Sequence, residues 1–332
     1  MDTQIVIIGS SGHAGYVLDE LPAIEDAALV GVAPGCPEED VSDLAKKCEA
    51  IGLHPKVYGD YRSMLDNTRP DIACVNPFFY LNSEVTVECL RRGIHVFCEK
   101  PLALDTDALQ QVRDAHAASG AHLGMMLNYR YDPRFYTARR LVREGRIGTP
   151  AAGYAQKSYR FGKRPDYYKQ RGTFGGLIPW VGIHAIDWFR WVSGLDYVSV
   201  SAHHSNLGQP DYPELEDSAC CLFELENGGS AAMSFDYMRP MGAKTHGDDR
   251  LRLVGTKGIL EIRDELGLVL TDESGQVAVD LVAPLRGLFT DFAASVREGL
   301  DCLVSAHDAI DVTRIALEAR EAADTGKVRA LA

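Results

Sequence analysis

The stretch Ile94-His95-Val96-Phe97-Cys98-Glu99-Lys100-Pro101 begins with apolar residues and ends in a carboxylate, an amine and a proline. A short apolar run bounded by turn signals is typical of a strand inside a parallel sheet, where both faces are covered. Ligands of open α/β sheets bind at the carboxyl ends of such strands. Because a proline restricts the residue before it to extended backbone, we expect Lys100 to be held in place at this edge of the sheet.

Composition excludes several classes of partner. The chain has 332 residues, 46% of them hydrophobic, and a net charge of -13, which argues against binding to nucleic acid or to an anionic membrane surface. The first residues enter a strand-like run directly and no apolar stretch is long enough to span a bilayer, so we expect a cytoplasmic protein with a small-molecule partner. The eight cysteines lack Cys-x-x-Cys spacing and predict reduced thiols in the core, and the ten histidines show no zinc-ligand spacing, so no metal site is predicted.

The N-terminal segment predicts a nucleotide-binding turn. Residues 5–8 are an apolar strand, residues 9–15 read Gly-Ser-Ser-Gly-His-Ala-Gly, and a helical pattern follows. Glycine permits a tight turn, and the N–H groups at a helix start favour a pyrophosphate. In the dinucleotide register the turn is Gly9-x-Ser11-x-x-Ala14, so a serine stands in place of the middle glycine.

The second predicted strand, residues 29–33, ends in Pro34-Gly35 where an acidic residue usually holds the ribose hydroxyls. No arginine stands there to meet a 2′-phosphate, so the sequence leaves NAD and NADP open. Glu38 or Glu39 could reach back to the turn. We favour an ordinary solvated loop for this pair, because most acidic side chains are exposed.

Strands and helices alternate through the first part of the chain, which predicts a Rossmann-like, doubly wound parallel sheet over residues 1–127. Residues 128–332 show alternating apolar patterns and predict an α+β domain with a large, mainly antiparallel sheet, so the whole chain is α/β. Within it, Asn227-Gly228 predicts a hairpin turn with positive φ at both central residues.

Two groups of polar residues in the second half are candidates for a site. His184 and Asp187 are three residues apart and would share a helix face, and spacing alone favours a polar pair at a buried helix end. A basic, aromatic stretch suits a hydroxylated or anionic ligand, with a solvated loop as the alternative, and the two stay equally open for Arg130, Arg160 and Arg171. Its members are Arg130, Lys157, Arg160, Lys163, Arg164, Tyr167, Tyr168 and Arg171.

Four motifs together resemble the glucose–fructose oxidoreductase/inositol dehydrogenase (Gfo/Idh/MocA) family: the Gly-rich turn, Asn76-Pro77, the run from Gly93 to Ala103, and Asn128-Tyr129-Arg130. The resemblance covers essentially the whole chain. It implies a nicotinamide cofactor over the Glu99-Lys100 peptide, with Lys100 pointing at the reacting carbon. The family signature of a glycine pair and Gly-x-His-x-x-Asp falls on Gly175, Gly176, Gly182, His184 and Asp187, and implies that His184 faces the substrate.

The resemblance therefore predicts Lys100 and His184 as catalytic residues. The predicted cofactor contacts are Gly9, Ser10, Ser11, Gly12, His13, Ala14, Asn76, Pro77, Tyr80, Glu99, Lys100, Asn128 and Arg171. The predicted substrate contacts are Lys100, Arg130, Arg160, Trp180, His184 and Asp187. A homodimer or homotetramer is also implied, with the open face of the second sheet meeting another subunit.

One residue departs from the family pattern. Four residues before the histidine the family often carries an aspartate, and this chain has Trp180. An indole cannot accept a hydroxyl proton, although it can stack against a sugar face. The leading prediction is an NAD(P)-dependent dehydrogenase acting on a sugar, a polyol or a sugar-derived hydroxyl or ketone. The alternatives are a redox-cycling glycosidase or lyase, and a ligand sensor without catalysis.

Overall fold

The structure is a computed structural model that describes residues 2–264 and 266–331. It divides into two compact units, the first containing the chain up to Leu127 together with Arg286–Thr313, and the second containing Asn128–Leu285 and the chain from Arg314 onward. The outer ends of the predicted domains, Met1 and Ala332, lie outside the described residues.

Up to Leu127, strands alternate with helices. The strands are β1 (Thr3–Ile8), β2 (Ala27–Ala33), β3 (Lys56–Val57), β4 (Ile72–Val75), β5 (His95–Cys98) and β6 (Leu123–Met125). The helices are α1 (Gly15–Leu18), α2 (Ser42–Ala50), α3 (Tyr61–Thr68), α4 (Asn82–Arg91) and α5 (Thr106–Ser119), with 3₁₀ turns at Leu21–Ala23 and Phe79–Leu81.

The rest of the chain is richer in strands. They are β7 (Pro150–Tyr159), β8 (Tyr197–Ser205), β9 (Ser218–Leu225), β10 (Ser230–Asp236), β11 (Gly247–Gly255), β12 (Gly258–Arg263), β13 (Gly267–Asp272), β14 (Gly275–Ala278) and β15 (Arg329–Ala330). The helices are α6 (Pro133–Arg143), α7 (Arg171–Phe174), α8 (Ile183–Ser193), α9 (Leu288–Glu298) and α10 (Ala306–Thr325), with 3₁₀ turns at Asn128–Tyr131 and Asp166–Lys169 and a π-helical turn at Ile178–Gly182.

The sheet of the first unit confirms the predicted doubly wound fold. Its six strands pair in the order β3-β2-β1-β4-β5-β6, and every pair is parallel. Residues 5–8 and 72–75 are fully buried, as expected for strands covered on both faces. This order places the ends of β1, β4 and β5 side by side, so the loops that follow these strands meet at one edge of the sheet.

Helix α9 packs in the first unit, whereas the sequence pattern predicted it within the domain of residues 128–332. The rings of Phe289 and Phe292 lie 5.4 and 5.2 Å from that of Phe97 on β5. The carboxylate of Glu20 accepts hydrogen bonds from the first amides of α9, including those of Phe289 and Thr290 at 3.0 and 2.8 Å. The apolar contact with Phe97 and the charged cap of Glu20 at the helix N-terminus therefore hold α9 in the first unit.

The sheet of the second unit has nine strands in the order β14-β13-β12-β11-β7-β10-β9-β8-β15. Among the described strands it is antiparallel except where β10 runs parallel to β7. A Cβ on Gly153 would lie 2.4 Å from the ring of Phe189, and one on Gly182 would lie 2.7 Å from that of Phe235. These two glycines therefore allow the segment that carries α8 to approach the sheet closely.

Two local predictions are corrected. In the β9–β10 hairpin only Gly228 has positive φ (82°), because the Asn227 side chain instead accepts a hydrogen bond from the Gly229 amide and donates one to the Pro150 carbonyl. Of the two adjacent cysteines on β9, Cys221 is buried as predicted, but Cys220 is exposed, since successive side chains of a strand point to opposite faces.

Among the described residues, no helix combines the length and the apolar character that crossing a bilayer requires.

Candidate active site

The Gly-rich turn of the first unit lies against the loops that follow β4 and β5. Gly9 has a φ of 84°, and a Cβ there would lie 2.3 Å from Pro77. A Cβ on Gly12 would lie 2.7 Å from the Glu99 carboxylate and 2.8 Å from Asn76 Oδ1. Glycine is therefore required at position 9, and a side chain at position 12 would force Glu99 and Asn76 to shift. The predicted cofactor residues Gly9, Gly12, Asn76, Pro77 and Glu99 thus form one group.

The backbone amides of the turn are held by its neighbours. The Ser11 amide donates to the Asn76 carbonyl at 2.9 Å, and the His13 amide donates to Glu99 Oε2 at 2.7 Å. The side chain of Asn76 is completely buried, yet neither its Nδ2 nor its Oδ1 has a hydrogen-bond partner within the described residues. A buried amide without partners is costly, so this group fits a site whose remaining polar partner is a bound ligand such as a dinucleotide.

Glu39 contradicts the solvated loop that the sequence favoured for residues 38 and 39. Its side chain is only 6% exposed. One carboxylate oxygen accepts hydrogen bonds from the Ser10 amide at 2.9 Å and the Ser11 hydroxyl at 2.7 Å, and the other accepts one from the Gly35 amide at 2.9 Å. Glu38, by contrast, is exposed. The reason is geometric: the loop after β2 folds back onto the loop after β1, and their amides need an acceptor.

Tyr80 follows the loop after β4. Its ring stacks on that of Phe78 with the centroids 5.9 Å apart. Partial burial, with smaller contributions from Cys36, Glu38 and Glu39, raises the pKa of Tyr80. The contact of Tyr80 with a cofactor stays a prediction.

The peptide between Glu99 and Lys100 is clamped on both sides. The Lys100 amide donates to Glu99 Oε1 at 2.8 Å, and the Asn82 side chain donates to the carbonyls of Glu99 and Pro101 at 3.1 and 2.9 Å. Lys100 is 2% exposed and the peptide bond to Pro101 is cis. The amine is thus carried by a fixed, buried segment directly after β5.

Glu99 is buried yet charged. Burial raises the pKa of its carboxyl, but His13, which lies 2.5 Å away and also donates its amide, and the charge of Lys100 outweigh burial and hold that pKa below its usual range. A carboxylate in this state accepts hydrogen bonds from the Gly-rich turn and fixes the peptide of Lys100 at the same time.

In the second unit, Trp180, His184 and Asp187 lie on one continuous segment. Trp180 belongs to the π-helical turn of residues 178–182, and His184 and Asp187 belong to the first turns of α8. They are 5%, 8% and 1% exposed. π-Helical turns often occur at functional sites because they change which side chains share a face. The departure at Trp180 therefore coincides with a departure in backbone geometry.

Asp187 forms a buried ion pair with Arg130. Its carboxylate oxygen accepts from Arg130 Nη2 at 2.6 Å and from Nε at 3.1 Å, and both side chains are nearly inaccessible. The sequence predicted both residues as substrate contacts and considered Asp187 mainly as a partner of His184. The observed pair gives Asp187 and Arg130 a structural role, and their contact with substrate stays a prediction.

A second buried ion pair lies beside His184 and was missed from the sequence. Lys157 Nζ lies 2.9 and 3.0 Å from the two carboxylate oxygens of Asp249, and both groups also bond to the Tyr129 hydroxyl. The Tyr129 ring packs edge-on against His184 with the centroids 5.2 Å apart. Strand register was the missing signal, since Lys157 on β7 directly faces Asp249 on β11.

The remaining predicted arginines lie elsewhere in the second unit. Arg160 donates to the carbonyl of Ala243. Arg171 pairs with Glu216 and lies 3.1 Å from Asp324. His204 joins the same two carboxylates at 3.2 Å each, an arrangement that spacing in the sequence could not show. Because the positive charge of the Arg171 guanidinium compensates the negative charges of Glu216 and Asp324, we interpret the cluster as a structural ion network. The contact of Arg171 with a cofactor stays a prediction.

The remaining predicted cofactor residues divide between the two units. Ser10, Ser11, His13 and Ala14 are on the Gly-rich turn, whereas Asn128 begins the 3₁₀ turn that opens the second unit.

Comparison with known proteins agrees with the motifs. A family model described as an oxidoreductase family with an NAD-binding Rossmann fold matches residues 3–127, and the model of the GFO/IDH/MocA C-terminal domain matches residues 135–261. A structure of a candidate oxidoreductase from Thermotoga maritima is 45% identical, covers 98% of this chain and 99% of its own, and superposes with a TM-score of 0.95.

Curated relatives are more distant. An inositol 2-dehydrogenase 2 from Saccharopolyspora erythraea is 28% identical over 234 residues, covering 69% of this chain and 65% of its own. A myo-inositol 2-dehydrogenase from Thermotoga maritima is 26% identical over 279 residues, covering 82% of this chain and 79% of its own. Alignments with two of the curated relatives span only 58% and 65% of the relatives' length. The family models and the 45% identical structure together establish that the chain belongs to the GFO/IDH/MocA oxidoreductase family, with an NAD-binding Rossmann fold in its first part.

Proposed function

We propose that the protein is an NAD-dependent dehydrogenase that oxidises a hydroxyl group of a sugar or polyol, or reduces the matching ketone. The observation that carries the proposal is the buried amine of Lys100, held by the Glu99 and Asn82 hydrogen bonds directly after β5. Relatives named inositol 2-dehydrogenase support the substrate class. A ligand sensor would not require a fixed, buried amine at this place.

The proposed chemistry separates the proton from the hydride. A bound nicotinamide dinucleotide would supply the hydride acceptor for the carbinol carbon. Lys100 accepts the hydroxyl proton as the C=O bond forms, because a proton must leave the oxygen as positive charge develops on the carbon. Glu99 fixes the peptide that carries Lys100. Within the second unit, the imidazole of His184 is able to hydrogen-bond to a hydroxyl, and the indole of Trp180 offers an apolar surface that suits a sugar ring.

The residues of the first unit that would hold the dinucleotide are those of the Gly-rich turn and the loop after β4. Gly9 and Gly12 let the turn pack against the loops after β4 and β5, and Asn76 supplies a buried amide that lacks a protein partner within the described residues.

The test is Lys100→Met, with Lys47→Met as the matched control on an exposed face of α2. We expect Lys100→Met to lower kcat for inositol or a related polyol by about 100-fold or more while binding of the dinucleotide, measured by quenching of tryptophan fluorescence, stays measurable. The control should retain full activity. Unchanged turnover in Lys100→Met would reject the proposed base.

The proposal extends to assembly and compartment. A homodimer or homotetramer is supported by the face of the second sheet on which Cys220 and Leu222 are exposed. Sedimentation at several protein concentrations tests this, and a monomer throughout would contradict it. A cytoplasmic location stays a prediction from the sequence.

A further inference from the structure

Glu39 is an acidic side chain that the mechanism above does not use. It is 6% exposed, and its two oxygens accept hydrogen bonds from the Ser10 amide, the Ser11 hydroxyl and the Gly35 amide. The carboxylate therefore joins the Gly-rich turn after β1 to the loop after β2. A carboxylate has about four acceptor positions, so one position is left for a further donor.

The two loops that Glu39 joins have defined roles in dinucleotide-binding folds. The first turn meets the pyrophosphate, and an acidic residue at the end of the second strand accepts a hydrogen bond from the ribose 2′-hydroxyl. In this chain β2 ends at Ala33 and Pro34 follows, so that acid is missing from its usual place. Glu39, which lies further along the chain, places a carboxylate between the same two loops.

The negative charge of the segment around Glu39 also favours a ribose 2′-hydroxyl over a 2′-phosphate. Residues 34–45 include Glu38, Glu39, Asp40 and Asp43 and contain no lysine or arginine. A 2′-phosphate is a dianion that requires cationic or multiple N–H partners. Beside the Glu39 carboxylate it would meet repulsion, whereas a 2′-hydroxyl would find an acceptor.

We propose that Glu39 is the acid that recognises the ribose of the dinucleotide, and that it makes this protein select NAD over NADP. This inference rests on the proposed function, because it assumes that the Gly-rich turn binds a dinucleotide. It assigns a specificity-determining role to a residue outside the position where the fold usually carries one.

The test compares Glu39→Gln with its neighbour Glu38→Gln, which changes an exposed acid by the same chemistry. Dissociation constants for NAD and NADP are measured by calorimetry without substrate, so that the readout is independent of turnover. We expect the unaltered protein to bind NAD at least about tenfold more tightly than NADP. Glu39→Gln should weaken NAD binding by about tenfold and reduce this preference for NAD over NADP. Glu38→Gln should change neither the affinity for NAD nor the preference.

A second measurement does not depend on the folding of a variant. ADP-ribose and its 2′-phosphorylated form are titrated into the unaltered protein, and the inference requires the unphosphorylated compound to bind more tightly. Equal affinity for the two compounds, or a Glu39→Gln variant that weakens NAD and NADP by the same factor, overturns the role of Glu39 but leaves the dehydrogenase proposal standing. Failure of the unaltered protein to bind either dinucleotide overturns the proposed function and this inference with it.

Discussion

Arg130 Nη2 lies 2.6 Å from Asp187 Oδ1, and both side chains are almost completely buried. Removing one partner of such a pair leaves an uncompensated charge in the interior. We therefore expect Asp187→Asn to lower the free energy of unfolding by about 3–5 kcal/mol, measured by urea denaturation. The exposed pair Arg62–Glu84 provides the control, and Glu84→Gln should change stability very little. Equal, small effects in both variants would show that the buried pair is not needed for the fold.

The Lys157–Asp249 pair allows a sharper comparison. Either single variant, Lys157→Met or Asp249→Leu, strands one buried charge. The double variant removes both charges, so we expect it to be more stable than either single variant in urea denaturation, with a coupling energy of about 1–3 kcal/mol. A double variant whose loss equals the sum of the two single losses would exclude this coupling.

Glu20 caps the N-terminus of α9 from a distant part of the chain. Its carboxylate accepts hydrogen bonds from the amides of Leu288, Phe289 and Thr290. We expect Glu20→Ala to reduce stability by about 1–2 kcal/mol, because it leaves helix N-terminal amides without an acceptor and removes a negative charge from the positive end of the helix. Glu25→Ala, at an exposed position nearby, is the control. Indistinguishable melting temperatures of the two variants would contradict the capping role.

Glu99 predicts a pH dependence with a definite sign. The pKa of its carboxyl lies below its usual range in the folded protein, so the ionised form favours folding. That contribution is present above the ordinary value of about 4.5 and is lost as the pH falls through the lowered pKa. The stability of Glu99→Gln should consequently fall less steeply than that of the unaltered protein between about pH 5 and 3, in urea titrations without dinucleotide. Parallel pH profiles would contradict the assignment.

The first sheet was predictable because its signals are local. Residues 5–8, 72–75 and 96–98 are uninterrupted apolar runs, and some helices of this unit carry clear end signals. Asp105 illustrates this: it caps α5 by accepting from the Ala108 amide, and Gly120 ends the helix at a φ of 65°. Lys100 could be placed at a strand end for the same reason.

The features that the sequence did not predict depend on pairing between distant residues. The sequence around Glu39 does not distinguish it from an exposed acidic residue, because its burial depends on contacts with Ser10 and Ser11 in a distant turn. Lys157 and Asp249 become neighbours only through the register of β7 and β11. Register is set by turns and by the burial of one sheet face, so an alternating pattern identifies the strands but not which side chains lie opposite each other.

The position of α9 has a practical consequence for work on isolated parts of this protein. A gene fragment ending at Leu127, where the motifs of the Rossmann fold end, would encode Phe97 without the two rings that cover it and Glu20 without the helix that it caps. Such a fragment would expose apolar surface to solvent and aggregate on expression. A chimera that exchanges the nucleotide-binding half between relatives should therefore transplant residues 286–313 along with it.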